Sequence, residues 1–331
     1  MLRRFSEEVL ILFVLFTYLF IYIVFDFTNL SSYFSHIPKE VLNMNTIFIS
    51  LFLEALPFIL IGIIISSVIQ VFVTPEMIQK SLPKSAILAI IPVAIIGIVA
   101  PICECGIVPI VRSLLKKGMS LHIGVVFLSS VPIINPIVFT STFYAFQSNL
   151  NMAYLRLGLA FIVVLLIGCV TFLFYGRKNV LLESSFTDHT HSHNKSNRWK
   201  EVLTHSSDEL FSTCKFLLIG ALVASILQTF VNRDFLLQLS NHDYLSSISM
   251  MGLGYILSLC SGSDAFIATS FSSTFPLKSI LAFLIFGAMI DLKNTFMMFA
   301  YFKRRFVLFY ILVTASSVYL VTFLWDLYFG R

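Results

Sequence analysis

Apolar runs long enough to cross a lipid bilayer follow one another along almost the whole chain, at about residues 9–27, 46–73, 86–115, 120–146, 151–175, 210–231, 246–275, 277–300 and 307–328. A transmembrane helix needs ~20 predominantly apolar residues. Backbone inside the hydrocarbon core must satisfy its own hydrogen bonds, which a helix does. The expected fold class is therefore an all-α polytopic membrane protein. Composition agrees: 58% of residues are hydrophobic and 12% charged, about half the charge of a soluble domain. The net charge of +5 resides in connectors between runs, so it marks topology rather than a nucleic-acid surface. Met1-Leu2-Arg3-Arg4 resembles a signal-peptide start, but the long run behind it ends in no small-x-small site, so it reads as an uncleaved first helix.

One run carries chemistry. Pro101-Ile102-Cys103-Glu104-Cys105-Gly106-Ile107-Val108-Pro109 puts two thiols and a carboxylate on neighbouring residues between prolines. Pro92, Pro101 and Pro109 are expected to break this run, because proline lacks a backbone donor. Irregular backbone at membrane depth is tolerated only where protein or water covers it, and an ionisable residue there is a functional-site hypothesis by default. Thiolates favour soft ions such as zinc, copper(I) or arsenic(III). A C-x-C pair chelates one ion only if the backbone curls, since alternate residues of an extended strand point apart; Gly106 and the prolines permit that. The plain alternative is two packed cysteines and a glutamate lining a crevice. Of the five cysteines, Cys169 and Cys214 stand alone in apolar runs and read as small packing residues.

The chain also repeats itself. Phe58-Ile59-Leu60-Ile61-Gly62 corresponds to Phe216-Leu217-Leu218-Ile219-Gly220, with Ser67, Gln70 and Phe72-Val73 matching Ser225, Gln228 and Phe230-Val231. Nearly the same offset sets Cys103 on Cys260 and Asn135 on Asp291. If 86–115 and 246–275 each dip into the membrane and return, Arg3, Arg4, Lys80, Lys84, Lys116, Lys117, Arg177, Lys178, Arg198, Lys200 and Lys303-Arg304-Arg305 share the cytoplasmic side. That solution has seven full spans and two proline-broken re-entrant hairpins in two inverted repeats, a recurring transporter plan. The expected division is 1–45 for a first helix and external connector, 46–175 for the first repeat, 176–208 for a polar cytoplasmic loop and 209–331 for the second repeat.

Further candidates follow from the repeat. Cys260-Ser261-Gly262-Ser263-Asp264 is the counterpart of the thiol tip, and Cys260, Ser263 and Asp264 are its candidate binding residues; small residues there also suit close helix packing. Asn135, between Pro132 and Pro136, is matched by Asp291 with Lys293 and Asn294. Charges that deep call for internal partners, so an ion pair that fixes packing competes with a substrate or coupling-ion role. Glu54, near a span end, reads as interfacial or packing. His189, His191 and His193 could sample metal, although their serine- and lysine-rich surroundings suggest a disordered, solvated loop. No phosphate-binding G-x-x-x-x-G-K-[ST] loop and no hydrolase H-E-x-x-H or G-x-S-x-G motif is present, which points away from ATP hydrolysis and from an enzyme.

Taken together, Ala100-Pro-Ile-Cys-Glu-Cys-Gly106-Ile-Val-Pro109, the Pro132–Pro136 break and Cys260-Ser-Gly-Ser-Asp264 resemble a family of predicted bacterial permeases that includes the organoarsenical efflux permeases. The resemblance covers the chain from the second run onward. It implies a cytoplasmic-membrane permease with a duplicated core and no cofactor, in which Cys103 and Cys105 bind a small inorganic or organometalloid substrate. It also implies a second membrane-associated subunit as a partner. The reading is a secondary transporter of a soft metal ion or trivalent metalloid. Its alternatives are a membrane thiol oxidoreductase, which the lack of C-x-x-C disfavours, and an accessory subunit of a membrane complex.

Overall fold

The computed structural model describes residues 38–74, 76–77, 89–99, 102–176, 180–182, 198–230 and 243–329. Met1–Ile47 and Phe48–Arg331 are two compact units, and everything that bears on the site lies in the second. The helices are α1 (Lys39–Phe72), α2 (Ile90–Val99), α3 (Glu104–Lys116), α4 (Leu121–Ser130), α5 (Pro136–Ala145), α6 (Leu150–Tyr175), α7 (Arg198–Phe230), α8 (Asp243–Leu257), α9 (Asp264–Thr269), α10 (Leu277–Met289), α11 (Leu292–Tyr301) and α12 (Arg304–Phe329). No strand occurs among the described residues; a lone bridge joins Leu181 to Phe302. The chain is an all-α polytopic membrane protein.

Among the described residues, five segments are long and apolar enough to cross a membrane: Lys39–Phe72, Leu150–Tyr175, Val202–Phe230, Leu277–Tyr301 and Arg304–Phe329. Four of them have only about two-fifths of their most apolar stretch buried; Leu277–Tyr301 is 94% buried. That last segment is the axis of the second unit. Its first half, α10, touches α6, α8, α9 and α12, and its second half, α11, touches α3, α7 and α12. The other spans turn large apolar side chains outward, such as Leu173 and Leu312, as expected of helices whose outer solvent is lipid. The run at 9–27 lies outside the described residues.

Sequence and structure part company at several boundaries. α1 starts at Lys39 rather than near Thr46, because Pro38 pre-sets a helix start and no glycine or further proline interrupts the chain before Pro57. The polar loop expected over 176–208 gives way to helix at Arg198. Good helix formers at 198–203 extend α7 outward, and Val202 is buried. Pro109 does not break its run. It sits inside α3, where close neighbouring helices can support a proline. The interruption falls instead between Val99 and Glu104. Cys169 is exposed rather than packed, whereas Cys214 is buried.

Eight of the twelve helices are too short to cross a hydrocarbon core of about 30 Å, and two consecutive pairs of them, α2 with α3 and α8 with α9, flank the sequence tips. At 1.5 Å per residue, α2 and α3 rise about 15 and 20 Å, and α8 and α9 about 22 and 9 Å. Between the members of each pair lies non-helical backbone, at 102–103 and at 259–263. Two further breaks separate α4 from α5 and α10 from α11, and both are capped alike. Asn135 is extended (φ −135°, ψ 157°) and accepts from the Val138 amide. Asp291 is extended (φ −130°, ψ 175°) and accepts from the Asn294 amide. Each side chain thereby satisfies one of the amides that a helix start leaves unpaired.

Candidate functional site

Helix α3 begins at the thiol tip. Cys103 is its extended N-cap residue (φ −77°, ψ 169°), and Glu104 and Cys105 form its first turn. This change from extended to helical backbone provides the curl a C-x-C pair requires. Cys105 and Glu104 are each 1% exposed, while Cys103 is only partly covered. A close glycine contact fixes the tip against α1. A Cβ placed on Gly62 would lie 2.4 Å from the Gly106 carbonyl oxygen, and one on Gly106 would lie 2.8 Å from that of Phe58. Only glycines allow two backbones to approach this closely.

The centre of the site is Lys293, 1% exposed, at the start of α11. Its Nζ is 3.7 Å from Asp291 Oδ2, 3.9 Å from Glu104 Oε1 and 3.3 Å from the Ser258 carbonyl, to which it donates. Ser258 itself ends α8 with a left-handed φ of 48°, which turns the chain into the Cys260 segment. Its sharp turn is held by Gln228, whose amide donates to the carbonyls of Ile256 and Leu257 at 3.2 and 2.9 Å. Gly220 supports Lys293 from the other side, since a Cβ there would lie 3.1 Å from the Lys293 carbonyl oxygen. Glu104 Oε2, Asp291 Oδ2 and Asn294 Oδ1 are buried without a hydrogen-bond partner.

The two non-helical tips share this neighbourhood. Lys293 links them: it donates to the Ser258 carbonyl, two residues before Cys260, at 3.3 Å and stands 3.9 Å from Glu104 Oε1. The structure thus gathers Glu104, Asp291 and Lys293, with Cys103 and Cys105 on either side of Glu104 and Cys260 and Asn294 on the segments that carry Ser258 and Lys293.

Other candidates stand apart. Asp264 is engaged by Arg156 of α6 through a two-point fork, with Nη1 to Oδ1 at 3.0 Å and Nη2 to Oδ2 at 2.6 Å. The same guanidinium donates to Thr142 Oγ1 at 2.8 Å and to the Leu284 carbonyl at 3.0 Å. Ser263 is exposed and donates to the Cys260 carbonyl. Asn135 caps α5, and its amide donates to the Val131 carbonyl at 3.1 Å. His189, His191 and His193 lie outside the described residues. Among the described residues, no three His, Cys, Asp or Glu side chains come together closely enough to hold a metal ion; the candidate metal ligands there are the pair Cys103 and Cys105.

A second buried polar cluster escaped the sequence reading. Arg112 Nη1 donates to Glu209 Oε1 at 3.0 Å, and its guanidinium carbon lies 4.7 Å from the centre of the Tyr301 ring. Ser66 and Gln70 donate to Glu209 Oε2 at 2.9 and 3.1 Å. Thr213 pairs with the Tyr301 hydroxyl. Arg112 is eight residues beyond Glu104 on α3, about 12 Å further along the axis.

The comparisons with known proteins agree with this architecture. The profile of a family described as predicted permease matches residues 40–327. A protein of Bacillus subtilis (strain 168) named UPF0718 protein YcgR is 50% identical over 275 residues, covering 82% of this chain and 92% of that one. A Streptococcus mutans protein, named "putative two-component membrane permease complex subunit", is 40% identical over 278 residues, covering 83% of this chain and 92% of its own. No solved structure matches the chain. With its five apolar spans and a family match over most of its length, this chain is a multi-pass bacterial membrane protein and belongs to the predicted-permease family.

Proposed function

We propose that the chain is the substrate-moving subunit of a secondary permease rather than an enzyme, and that its cargo is a soft metal ion or trivalent metalloid. Cys103 and Cys105 bind the cargo at a curled tip. Cys260 approaches from the other tip, and the Glu104–Lys293–Asp291 group lies beside them. Residues 46–175 and 209–331 act as inverted halves, with α2–α3 and α8–α9 as half-spanning hairpins that exchange access between the two membrane faces. A second membrane-associated subunit completes the complex, in keeping with the name of the Streptococcus mutans relative.

One observation carries this reading: Lys293 joins the two non-helical tips, donating to the Ser258 carbonyl beside one at 3.3 Å and standing 3.9 Å from Glu104, between Cys103 and Cys105, at the other. Two thiols flanking a carboxylate suit a soft cargo. The test is element content of a deletion strain complemented with the wild-type chain or with Cys105→Ser. A change confined to one soft element, restored by wild type and not by Cys105→Ser, supports the assignment. Full complementation by a chain lacking Cys103, Glu104 and Cys105 together overturns it.

A further inference from the structure

We propose that the Arg112–Glu209 pair is a gate: it latches the two halves of the permease together and closes the aqueous route to the thiol tip from the membrane face that carries Lys116 and Lys303. The proposal rests on the permease reading above, in which residues 46–175 and 209–331 move against each other, and it holds whatever the cargo.

The latch spans the division between the halves. Its carboxylate, Glu209, opens the second half on α7. Among the described residues, the side chains hydrogen-bonded to that carboxylate all belong to the first half. Arg112 of α3 donates to Oε1 at 3.0 Å, and Ser66 and Gln70 of α1 donate to Oε2 at 2.9 and 3.1 Å. Ser113 ties these donors together, 2.7 Å from Ser66 Oγ and 2.9 Å from Gln70 Nε2. From the second half, the Tyr301 ring of α11 lies 4.7 Å from the Arg112 guanidinium carbon, and its hydroxyl pairs with Thr213 of α7. Each half thus presents a preassembled polar surface to the other.

The latch also lies between the site and one face. Arg112 follows Glu104 by eight residues on α3, and Tyr301 follows Lys293 by eight on α11. Lys293 stands 3.9 Å from Glu104 at one end, and Arg112 meets Tyr301 at the other. The two helices therefore run side by side in one direction, with the latch about 12 Å beyond the site. Exposed Lys116 and Lys303 lie just past it. The Lys303 amide donates to the Val180 carbonyl at 2.9 Å, which sets the latch at the Tyr175 end of α6. The Arg156–Asp264 fork sits near the start of α6, about 28 Å from Tyr175 along that helix, and belongs to the opposite end.

The two ion pairs are built for different work. Arg156, its side chain 2% exposed, holds its carboxylate by two bonds. Arg112, its side chain 10% exposed, meets Glu209 through one. The cost of desolvating an ion pair offsets most of its attraction. A singly bonded pair next to a face can therefore trade its partner for water, and the fork deep at the other end cannot.

The test is the rate at which a membrane-impermeant methanethiosulfonate carrying a quaternary ammonium modifies Cys103. Full-length protein is used in right-side-out and in inverted membrane vesicles, and the Cys103 peptide is followed by mass spectrometry. In wild type, Cys103 should react slowly from the Lys116 face. Glu209→Gln keeps the shape and loses the charge-assisted bond, so the rate from that face should rise at least ~10-fold, with no gain from the other face. Loss of a negative charge would by itself slow a cationic reagent, so the rise cannot come from altered attraction. Arg112→Lys, which keeps the charge, should stay nearer wild type than Glu209→Gln. Asp264→Asn loosens the opposite end and should leave this rate unchanged. Gln70→Met, which removes one bond and keeps both charges, replaces Glu209→Gln if the latter does not fold, and should give a smaller rise from the same face. An equal rise from both faces, or the same rise in Asp264→Asn, marks general loosening and overturns the gate. So does a folded Glu209→Gln or Gln70→Met protein with no rise. Each of these leaves the permease reading standing. A Cys103 that reacts from neither face in any variant has no aqueous route at all, and overturns both.

Discussion

Asp264→Ala tests whether the charges buried in the membrane core are structural or spare. The Arg156 side chain is 2% exposed and is held by two bonds from Asp264, one from Thr142 and one from the Leu284 carbonyl. Removing the carboxylate takes the two strongest partners away and leaves a guanidinium that cannot deprotonate. Losing one member of a buried pair costs about 3–5 kcal/mol, chiefly because the other charge is stranded. At about 2–4 °C per kcal/mol, the apparent melting temperature should fall by roughly 10 °C. The assay is thermal unfolding of detergent-solubilised protein, followed by fluorescence-detected size exclusion. Arg156→Met should cost a similar amount, whereas Arg156→Met with Asp264→Leu should lose less than either single change. Strictly additive losses, or an Asp264→Ala protein within about 0.5 kcal/mol of wild type, would show that the fork does not hold α6, α9 and α10 together.

Gly62→Ala would press a methyl group onto the Gly106 backbone at 2.4 Å, so it should cost at least the 1–3 kcal/mol typical of overpacking. Gly158→Ala, exposed with nothing within 4 Å, should be neutral or stabilise by up to about 1 kcal/mol; the pair is compared by the yield and melting of folded protein. Asn135→Ala should cost about 1 kcal/mol by removing the cap on the Val138 amide, and Asn135→Asp should keep most of it, as read by the same melting assay. Gln147 and Ser148 are left-handed in the exposed turn after α5, so Gln147→Val should destabilise by about 1–2 kcal/mol relative to Gln147→Gly, a ranking that thermal unfolding checks directly.

Some of this was open to reading from residues alone. Hydropathy locates spans because crossing a bilayer is a local requirement on each run of about 20 residues. The break at Asn135 was visible as a polar residue between prolines inside an apolar run, whereas 277–300 read as one continuous span and only the structure shows it broken at Asp291. The matched glycines Gly62 and Gly220 were also visible. Only the coordinates revealed that one presses on Gly106 and the other on Lys293. Pro109 misled, because whether a proline breaks a helix depends on the neighbours that support it.

By itself the sequence determined an all-helical membrane protein, the places where its helices could break, and a thiol–acid–thiol segment chemically fit for soft ligands. It could not say which charge answers which. Asp264 meets Arg156 across 108 positions, Glu209 meets Arg112 across 97, and Lys293 meets Glu104 from a different helix. The physical reason is that a charge in hydrocarbon creates a demand for some partner, and every intramembrane charge makes the same demand. Only the packing of helices around α10 and α11 decides which of them come within a few ångströms of each other.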